Sequence, residues 1–387
     1  MWATPEDAGF DPCRLQRAWD VLGRLVGCAS VPAAVAAVGR RGMAVGPVAQ
    51  GWAVYAPEEA REPVRTDTSF DLASLTKVVG TASAVWVLIE RGALRLEDRA
   101  AVLLPEFAGA REGEDGAWRS AVTVRHLLTH TSGLPAGRNL RLVPGGPQER
   151  LRAAAGTPLR AAPGERCVYS DLGFILLGRI VTEVSGRGLD VFCRDEVFAP
   201  LGMAATGWNP SPEVAARAAA TEWAEGEWAP GGRAGYLRGT VHDENARALG
   251  GLCGHAGLFS TAADLAVFAD TLRAGGIGGA PGMPVRRVLS AATVARMAEP
   301  AVVRPGECRT LGWQGPGRSG APCGDLWTRR AFGHTGFTGT SLWIDPGHDL
   351  WAVLLTNAVH MGRAVGLPAM ARLRSYFHNA VVAAVAG

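Results

Sequence analysis

The first fifty residues contain two kinds of apolar pattern. The earlier one has apolar side chains three or four positions apart, which is the spacing of one face of an α-helix. Its members are Leu15, Trp19, Leu22 and Leu25. The later one, VPAAVAAVGRRGMAVGPV at 31–48, is two runs of small apolar residues separated by RRG, and such runs around a turn signal are typical of a β-hairpin. We therefore predict a helix and then a hairpin between Asp11 and Gly51.

The other end of the chain has the same two patterns in the opposite order. The segment TSLWIDPGHDLWAVLLTN at 340–357 is two β-rich runs around the turn signal PGHD, which again predicts a hairpin. The segment LPAMARLRSYFHNAVVAAV at 367–385 follows as a predicted helix. Between the two ends, residues 75–245 have mostly helical spacing that glycine and proline interrupt.

These patterns together predict an α+β fold. If the two β-rich ends pair, they form one antiparallel sheet flanked by the terminal helices. We assign residues 1–74 and 246–387 to this α/β lobe and residues 75–245 to an inserted, mostly helical lobe. Clefts between lobes are common places for active sites, and we expect the site there.

Composition narrows the class of protein. A chain of 387 residues with 48% apolar and 19% charged residues is an ordinary globular protein rather than a disordered one. The net charge of +3 is spread over interspersed acids and bases, so we expect no nucleic acid as partner. The sequence has no apolar run of about 18 residues, so we expect no membrane as partner either. The first residues lack a signal-peptide pattern, and the seven cysteines form no CxxC pair. We therefore expect a cytoplasmic protein with mostly buried thiols.

Lys77 is the only lysine in the chain, and it follows Ser74 by three positions. Apolar residues recur at helical spacing after Ser74, so both side chains are predicted to share one face at the start of a buried helix. Free backbone N–H groups and the helix dipole favour negative charge there. A desolvated lysine, unlike an arginine, can lose a proton and accept that of a serine. The position therefore favours a nucleophile with its base.

Two further motifs accompany SLTK at 74–77, namely YSD at 169–171 and HTG at 334–336. With these three motifs in this order, the chain resembles the serine β-lactamase and penicillin-binding protein family. It is most similar to the branch of class C β-lactamases, esterases and D-alanyl peptidases. The resemblance extends over nearly the whole chain and implies a two-lobed fold. The connecting stretches that support it are RHLLTHTSGLP at 125–135, YSDLGFILLGRIVTEVSG at 169–186 and GHAGLFSTAADL at 254–265.

The resemblance implies a role for individual residues. Ser74 matches the nucleophile that forms an acyl-enzyme, and Lys77 matches the amine that shares its proton. Tyr169 matches the tyrosine that acts with this lysine as general base and then protonates the leaving group. The oxyanion hole of the family implies the backbone N–H groups of Ser74 and Phe337. The predicted substrate-binding residues are Asp171, His334, Thr335, Gly336 and Phe337.

Two residues depart from the family pattern. Asp171 stands where asparagine is usual, so the site gains a charge and loses an amide donor. His334 stands where lysine is usual, and an imidazole with an ordinary pKa of about 6.5 gains charge as the pH falls from 8 to 6. Asparagine and lysine hold the amide and carboxylate of β-lactams and peptidoglycan stems in the family. We therefore expect altered specificity with an intact nucleophile.

A metal site is a further hypothesis that the sequence raises. His242, Asp243 and His255 lie within 14 residues. The separation of 13 between the histidines is not that of a helical ligand pair, and no other cysteine or histidine completes a known set. We predict no metal and no cofactor, and expect this segment to line the cleft as a polar loop.

The sequence thus predicts a serine hydrolase that acts through an acyl-enzyme on small carboxylic esters or on strained or activated amides. A true β-lactamase or D-Ala-D-Ala carboxypeptidase is the first alternative. A non-catalytic binding or sensor protein with the same fold is the second, and the oligomeric state stays open. Intact Ser74, Lys77 and Tyr169 argue against the sensor, since a pure binder needs no activated nucleophile.

Overall fold

The computed structural model describes residues 2–109, 114–226, 229, 232–304, 307–317 and 321–386. The α-helices in these parts are α1 Pro12–Leu25, α2 Ser83–Glu90, α3 Ala100–Leu103, α4 Pro105–Ala108, α5 Glu114–Ala121, α6 Val124–Leu128, α7 Pro147–Ala155, α8 Asp171–Ser185, α9 Leu189–Cys193, α10 Ala199–Leu201, α11 Pro212–Ala215, α12 Glu244–Ala248, α13 Ala262–Arg273, α14 Ala291–Ala298 and α15 Arg363–Ala383.

The strands of the described parts form one larger sheet and several two- or three-stranded ones. They are β1 Ala33–Arg40, β2 Met43–Val54, β3 Glu62–Pro63, β4 Phe70–Asp71, β5 Gly207–Trp208, β6 Trp223–Ala224, β7 Gly235–Tyr236, β8 Leu258–Ser260, β9 Ile277–Gly278, β10 Arg286–Arg287, β11 Val302–Arg304, β12 Glu307–Arg309, β13 Phe332–Thr335, β14 Ser341–Asp345 and β15 Leu350–Thr356.

The two ends of the chain meet in a six-stranded antiparallel sheet. Its order is β13-β14-β15-β1-β2-β3, so both predicted hairpins are present and β1 pairs with β15. Alternate residues of β1 enter two different cores, because successive side chains of a strand point to opposite faces. Gly39 leaves room for Trp351, whose ring lies 2.2 Å from the place of a Cβ at that position. The predicted α+β class with an antiparallel sheet is confirmed.

Helices cover both faces of this sheet. On one face α1 packs against α15, and their apolar residues join one core with Ala34, Ala36 and Val38 of β1. On the other face α13 packs against β1 and β15. That second core continues into α2 and α8, so it joins the sheet to the helical region. The lobe boundaries at residues 74/75 and 245/246 stay a prediction.

Two general expectations of the sequence concern membranes and disulfides. Within the described ranges, none of the helices combines the length and the apolar character needed to cross a membrane. All seven cysteines lie in those ranges, and no disulfide joins them. Four of them are buried, while Cys13 and Cys28 are exposed.

Candidate active site

A buried carboxylate shapes the turn that carries Ser74. Asp71 ends β4 at 2% exposure, and its side chain accepts hydrogen bonds from the N–H of Ala73 at 2.8 Å and of His242 at 2.6 Å. Ala73 has a φ of +46°, a left-handed conformation that L-residues seldom adopt. Helical structure begins at the residue after Ser74 and passes through a π-helical stretch, Lys77–Ala82, into α2. Strained turns and π-helical turns both cluster at functional sites.

The amine of Lys77 is surrounded by oxygen atoms. Its Nζ lies 2.9 Å from Ser74 Oγ, 2.8 Å from Asp171 Oδ1 and 3.1 Å from the carbonyl oxygen of His255. The Tyr169 ring lies beside the amine, with its centroid 4.9 Å from Nζ. The Lys77 side chain is fully buried, so its three N–H donors face three oxygen partners and no solvent.

These partners decide the charge of Lys77. Burial acts to lower the pKa of the amine, but the Asp171 carboxylate and the Tyr169 oxygen outweigh burial, and the pKa of Lys77 is raised above its ordinary 10.5. An opposite charge in contact favours the ionised form of a buried group. The sequence led us to expect an amine that can become neutral, whereas its partners in the structure favour the ammonium ion.

Tyr169 lies directly before α8, between two buried histidines. The N-cap of α8 is Ser170, whose N–H donates to His130 Nδ1 at 3.0 Å. The ring of Tyr169 is 4.6 Å from that of His130 and 5.8 Å from that of His334, measured between centroids. The guanidinium of Arg309 lies 5.0 Å from the centroid of the same ring. Tyr169 is therefore held on several sides, with cationic Arg309 and Lys77 beside it.

The HTG segment is attached to the turn that carries Ser74. Thr338 Oγ1 donates to the carbonyl oxygen of Asp71 at 2.8 Å, and Thr340 Oγ1 donates to that of Leu72 at 3.1 Å. A Cβ on Gly336 would lie 2.4 Å from the carbonyl oxygen of Leu72, so only glycine permits this approach. Arg374 of α15 donates to the carbonyl oxygen of Gly336 at 2.6 Å. Sequence reasoning missed these contacts.

Two backbone N–H groups are available beside the nucleophile. In the described ranges, the N–H groups of Leu75, Lys77 and Gly336 donate to backbone carbonyls, while no such bond uses those of Ser74 and Phe337. Unused N–H groups on facing segments are what an oxyanion hole needs. The assignment of the hole to Ser74 and Phe337 stays a prediction.

His334 is buried at 3% exposure, with Thr335 as its hydrogen-bond partner. Its Nδ1 donates to the carbonyl oxygen of Thr335 at 2.8 Å, and its Nε2 is a buried acceptor without a partner in the described ranges. Burial, and then the charges of Arg309 and Lys77, lower the pKa of His334 well below 6.5. The expectation that this imidazole gains charge between pH 8 and 6 is therefore wrong, because desolvation and two cations favour its neutral form.

The candidate metal triad of the sequence separates into two pairs. His242 Nε2 lies 2.9 Å from Glu222 Oε2, and the ring of His242 stacks on Phe337 at 5.7 Å. His255 Nε2 instead lies 2.8 Å from Oδ1 of Asp243, the N-cap of α12. The pKa of His255 is raised well above 6.5, because the Asp243 charge outweighs the effect of burial. His255 and Asp243 thus form an ion pair beside Lys77.

Thr335 and Phe337 border the same segment with different exposure. Thr335 is half-buried at the end of β13, whereas Phe337 is 42% exposed. Arg363 is the first residue of α15, and its guanidinium lies 5.4 Å from the Phe337 ring. Phe337 is therefore an apolar platform between His242 and Arg363, open to solvent and one residue beyond HTG.

The serine hydroxyl lies 2.9 Å from the lysine amine, and the tyrosine ring lies beside that amine. Covalent catalysis needs such a nucleophile within reach of a proton-transfer group. The Beta-lactamase family model matches residues 24–374 of the chain. The chain belongs to this family of hydrolases, as its three motifs predicted.

Relatives in the family carry several activities. An N-acetylmuramyl-L-alanine amidase of Bacillus subtilis (strain 168) is 31% identical, over 92% of this chain and 83% of that protein. A putative D-alanyl-D-alanine carboxypeptidase of Escherichia coli (strain K12) is 32% identical, over 77% of this chain and 71% of that protein. The structure of EstCE1, a hydrolase with promiscuous acyltransferase activity, superposes with a TM-score of 0.71 at 25% identity, covering 94% and 98% of the two chains.

Proposed function

We propose that this protein is a hydrolase that cleaves carboxylic esters and amides through an acyl-enzyme on Ser74. The observation that carries the proposal is the contact of Ser74 Oγ with Lys77 Nζ at 2.9 Å, because that amine is in turn held by Asp171 at 2.8 Å and lies beside the Tyr169 ring. A nucleophile next to a proton-transfer group that a third group orients is the usual sign of covalent catalysis.

The charge of Lys77 assigns the proton transfers. A lysine that stays an ammonium ion cannot take the serine proton, so Tyr169 takes it as the phenolate. Lys77 and the Arg309 guanidinium 5.0 Å from the ring stabilise that anion. Ser74 Oγ then bonds the substrate carbonyl carbon, and the N–H groups of Ser74 and Phe337 hold the oxyanion. Tyr169 returns the proton to the leaving alcohol or amine, and water repeats the sequence on the acyl-enzyme.

The residues around the site favour a substrate with an uncharged group near Asp171. Its carboxylate is 32% exposed, so it repels an anionic substrate group at its side of the cleft. The exposed ring of Phe337 offers an apolar surface for an acyl group. These two features support small esters as substrates, in agreement with the ranking that the sequence alone gave.

A second candidate is an amidase or D-alanyl carboxypeptidase acting on cell-wall peptides. It is favoured by the Bacillus subtilis amidase, which aligns with 92% of this chain. An amine leaves only when it is protonated, so this activity depends on Tyr169 more strongly than ester cleavage does.

The test is a substrate panel with the wild type, Ser74→Ala and Tyr169→Phe. The panel holds p-nitrophenyl esters, nitrocefin, a muramyl-L-alanine amide and a D-Ala-D-Ala peptide. We expect ester turnover that Ser74→Ala abolishes, and a loss in Tyr169→Phe of about 10²–10⁴-fold that is smaller for p-nitrophenyl esters, because nitrophenolate leaves without a proton. A wild type that a fluorophosphonate fails to label at Ser74 would instead indicate a non-catalytic binding protein.

A further inference from the structure

We propose that the His255–Asp243 ion pair is a positioning device that sets the charge around the Lys77–Tyr169 proton-transfer pair. In this role His255 acts through Lys77 and does not touch the substrate. The inference rests on the proposed function, since it assigns Lys77 and Tyr169 to proton transfer.

His255 is fixed at three points. Its Nε2 lies 2.8 Å from Asp243 Oδ1, its Nδ1 lies 3.1 Å from Cys253 Sγ, and its carbonyl oxygen accepts from Lys77 Nζ at 3.1 Å. The His255 side chain is only 1% exposed. Neither its ring nor its carbonyl can therefore turn without breaking a contact, and one of these contacts is to the catalytic amine.

Asp171 lies between two cations. Side-chain atoms of Asp171, Asp243 and His255 lie within 4.8 Å of one another, and Lys77 Nζ contacts Asp171 Oδ1 at 2.8 Å. Charges of opposite sign thus alternate from Lys77 through Asp171 and His255 to Asp243. The sum of these four charges is zero, which is the favourable arrangement for ions taken out of water.

Other titratable and charged groups surround this cluster. His130 and His334 are neutral, because burial and nearby cations lower the pKa of each well below 6.5. Arg309 is a cation beside the Tyr169 ring, 5.0 Å from its centroid. Further groups near the cluster are the guanidinium of Arg247, which interacts with the Asp243 charge, the buried carboxyl of Asp71, the thiol of Cys253 and the hydroxyl of Ser74.

The consequence is a pH effect of known sign. The Lys77–Tyr169 pair must lose a proton before it can accept the proton of Ser74. At low pH the pair keeps that proton and the rate falls, and this fall is the acid limb of the pH profile. Loss of the His255 charge leaves the four-residue cluster with a net charge of −1. A more negative environment favours the protonated pair, so the acid limb moves to higher pH. Removal of both charges, from His255 and Asp243, brings the sum back to zero.

The experiment measures how fast a small fluorophosphonate labels Ser74 between pH 5 and 9. In this reaction a bond forms between Ser74 Oγ and phosphorus, fluoride leaves with the P–F electron pair, and the serine proton passes to the Lys77–Tyr169 pair. The variants are His255→Gln, Asp243→Asn and their double. His348→Gln is the matched control, since His348 Nδ1 lies 3.0 Å from Asp345 in a histidine–aspartate pair between β14 and β15.

We expect His255→Gln to move the acid limb up by about one pH unit, the size of one charge interaction in a partly buried site. The double variant returns to within a few tenths of a unit of the wild type, and His348→Gln does not move. An unmoved limb in His255→Gln, or a double variant that stays with the single one, overturns the proposal. If His255→Gln fails to fold, Asp243→Asn provides the test. Removal of the Asp243 charge should move the acid limb to lower pH, so an acid limb at higher pH in this variant overturns the proposal.

A structural control uses the single lysine of the chain. Labelling with ¹⁵N-lysine gives one side-chain NMR signal, that of Lys77, in tag-free protein. We expect it to keep the shift of an ammonium ion in the wild type and in the double variant. A lost signal in the double variant overturns the charge explanation, since the variant then alters the site itself. If the wild type is not labelled at any pH, the proposed function fails, and that outcome differs from an unmoved limb.

Discussion

Two buried histidines near Lys77 differ in charge although they are almost equally shielded from solvent. His255 is 1% exposed and His334 is 3% exposed. The pKa of His255 is raised well above 6.5, while that of His334 is lowered well below it. Burial opposes charge in both cases. The difference lies in the neighbours, since His255 contacts the Asp243 carboxylate whereas His334 faces the cations Arg309 and Lys77.

The cleft therefore has a charged side, around His255, and a neutral side, around His334. On the charged side, alternating ions hold Lys77 as an ammonium ion. On the neutral side, the strand that bears His334 offers hydrogen-bonding groups without a titrating charge. Proton transfer is therefore expected to respond to changes at Asp171 and His255, and substrate positioning to changes at His334.

The largest expected effect comes from Lys77→Arg. An arginine carries the same charge as the Lys77 ammonium ion but is larger and planar, and the Lys77 side chain is fully buried among its oxygen partners. We expect kcat/KM to fall by about 10²–10⁴-fold, measured with a p-nitrophenyl ester.

Arg119→Lys is the control, since Arg119 is equally buried but bonds Asp115 and backbone carbonyls elsewhere. It should lose stability and keep its specific activity. A Lys77→Arg enzyme with more than about a tenth of wild-type kcat/KM would contradict the assignment.

Asp171→Asn tests the charged side directly. Removal of this carboxylate takes away the largest contribution that raises the pKa of Lys77. The acid limb of kcat/KM should therefore move to lower pH by about one unit, opposite to the shift in His255→Gln. The ratio of nitrocefin to ester hydrolysis should rise, because an amide donor replaces a charge. Equal profiles for the variant and the wild type would show that Asp171 does not govern proton transfer.

Much of the fold could be predicted because its signals are local. The hairpins β1/β2 and β14/β15 each have apolar runs around a turn, and both are present. The family motifs identified Ser74, Lys77 and Tyr169 by resemblance. The charge of His255 was not predictable, because it depends on Asp243, twelve positions away along the chain and 2.8 Å away in space.

The same limit applies to other parts of the site. Asp71 contacts the N–H of His242, 171 positions away, so its carboxylate in the segment FDLAS gave no sign of its role beyond being polar in an apolar strand. The π-helical stretch after Ser74 has no local signal that separates it from an α-helix. The state of His334 was mispredicted because the sequence did not show its burial or the cations around it.

The next effect concerns stability, and the two histidines should have opposite signs. A histidine held neutral, such as His334, stabilises the fold fully above its unfolded pKa of about 6.5, and that stability is lost as the pH falls from there towards its lower folded pKa. Its share of the slope is about 1.4 kcal/mol per pH unit. His255 has a raised pKa, so its contribution is complete below about 6.5 and is lost as the pH rises through the folded value.

Urea unfolding at several pH values measures these slopes. As the pH falls from 6.5 to 5, the unfolding free energy of His334→Gln should decrease less than that of the wild type. As the pH rises above 6.5, the unfolding free energy of His255→Gln should decrease less than that of the wild type. The difference from the wild type isolates each residue from His130 and His378, which are also buried with a lowered pKa. Parallel curves for wild type and His334→Gln would mean that His334 binds its proton as readily in the folded protein as in the unfolded chain, which would contradict a lowered pKa.

The smallest expected effect is on the recognition of a substrate carboxylate. Because His334 stays neutral, it cannot supply a charge that appears as the pH falls from 8 to 6. The ratio of kcat/KM for a carboxylate substrate to that for its methyl ester cancels the proton-transfer step that both share. We expect this ratio to stay level across the interval and to be unchanged in its pH dependence by His334→Gln. Arg309, beside the Tyr169 ring, is a cation near this side that can attract an anion, because a guanidinium keeps its charge at any ordinary pH. Arg309→Gln should therefore lower the ratio several-fold at every pH, the size of a charge interaction of about 1 kcal/mol. A contrary result is a ratio that rises towards pH 6 in the wild type and becomes level in His334→Gln. It would show that His334 becomes charged when substrate binds. The division of the cleft into a charged and a neutral side would then hold only for the free enzyme.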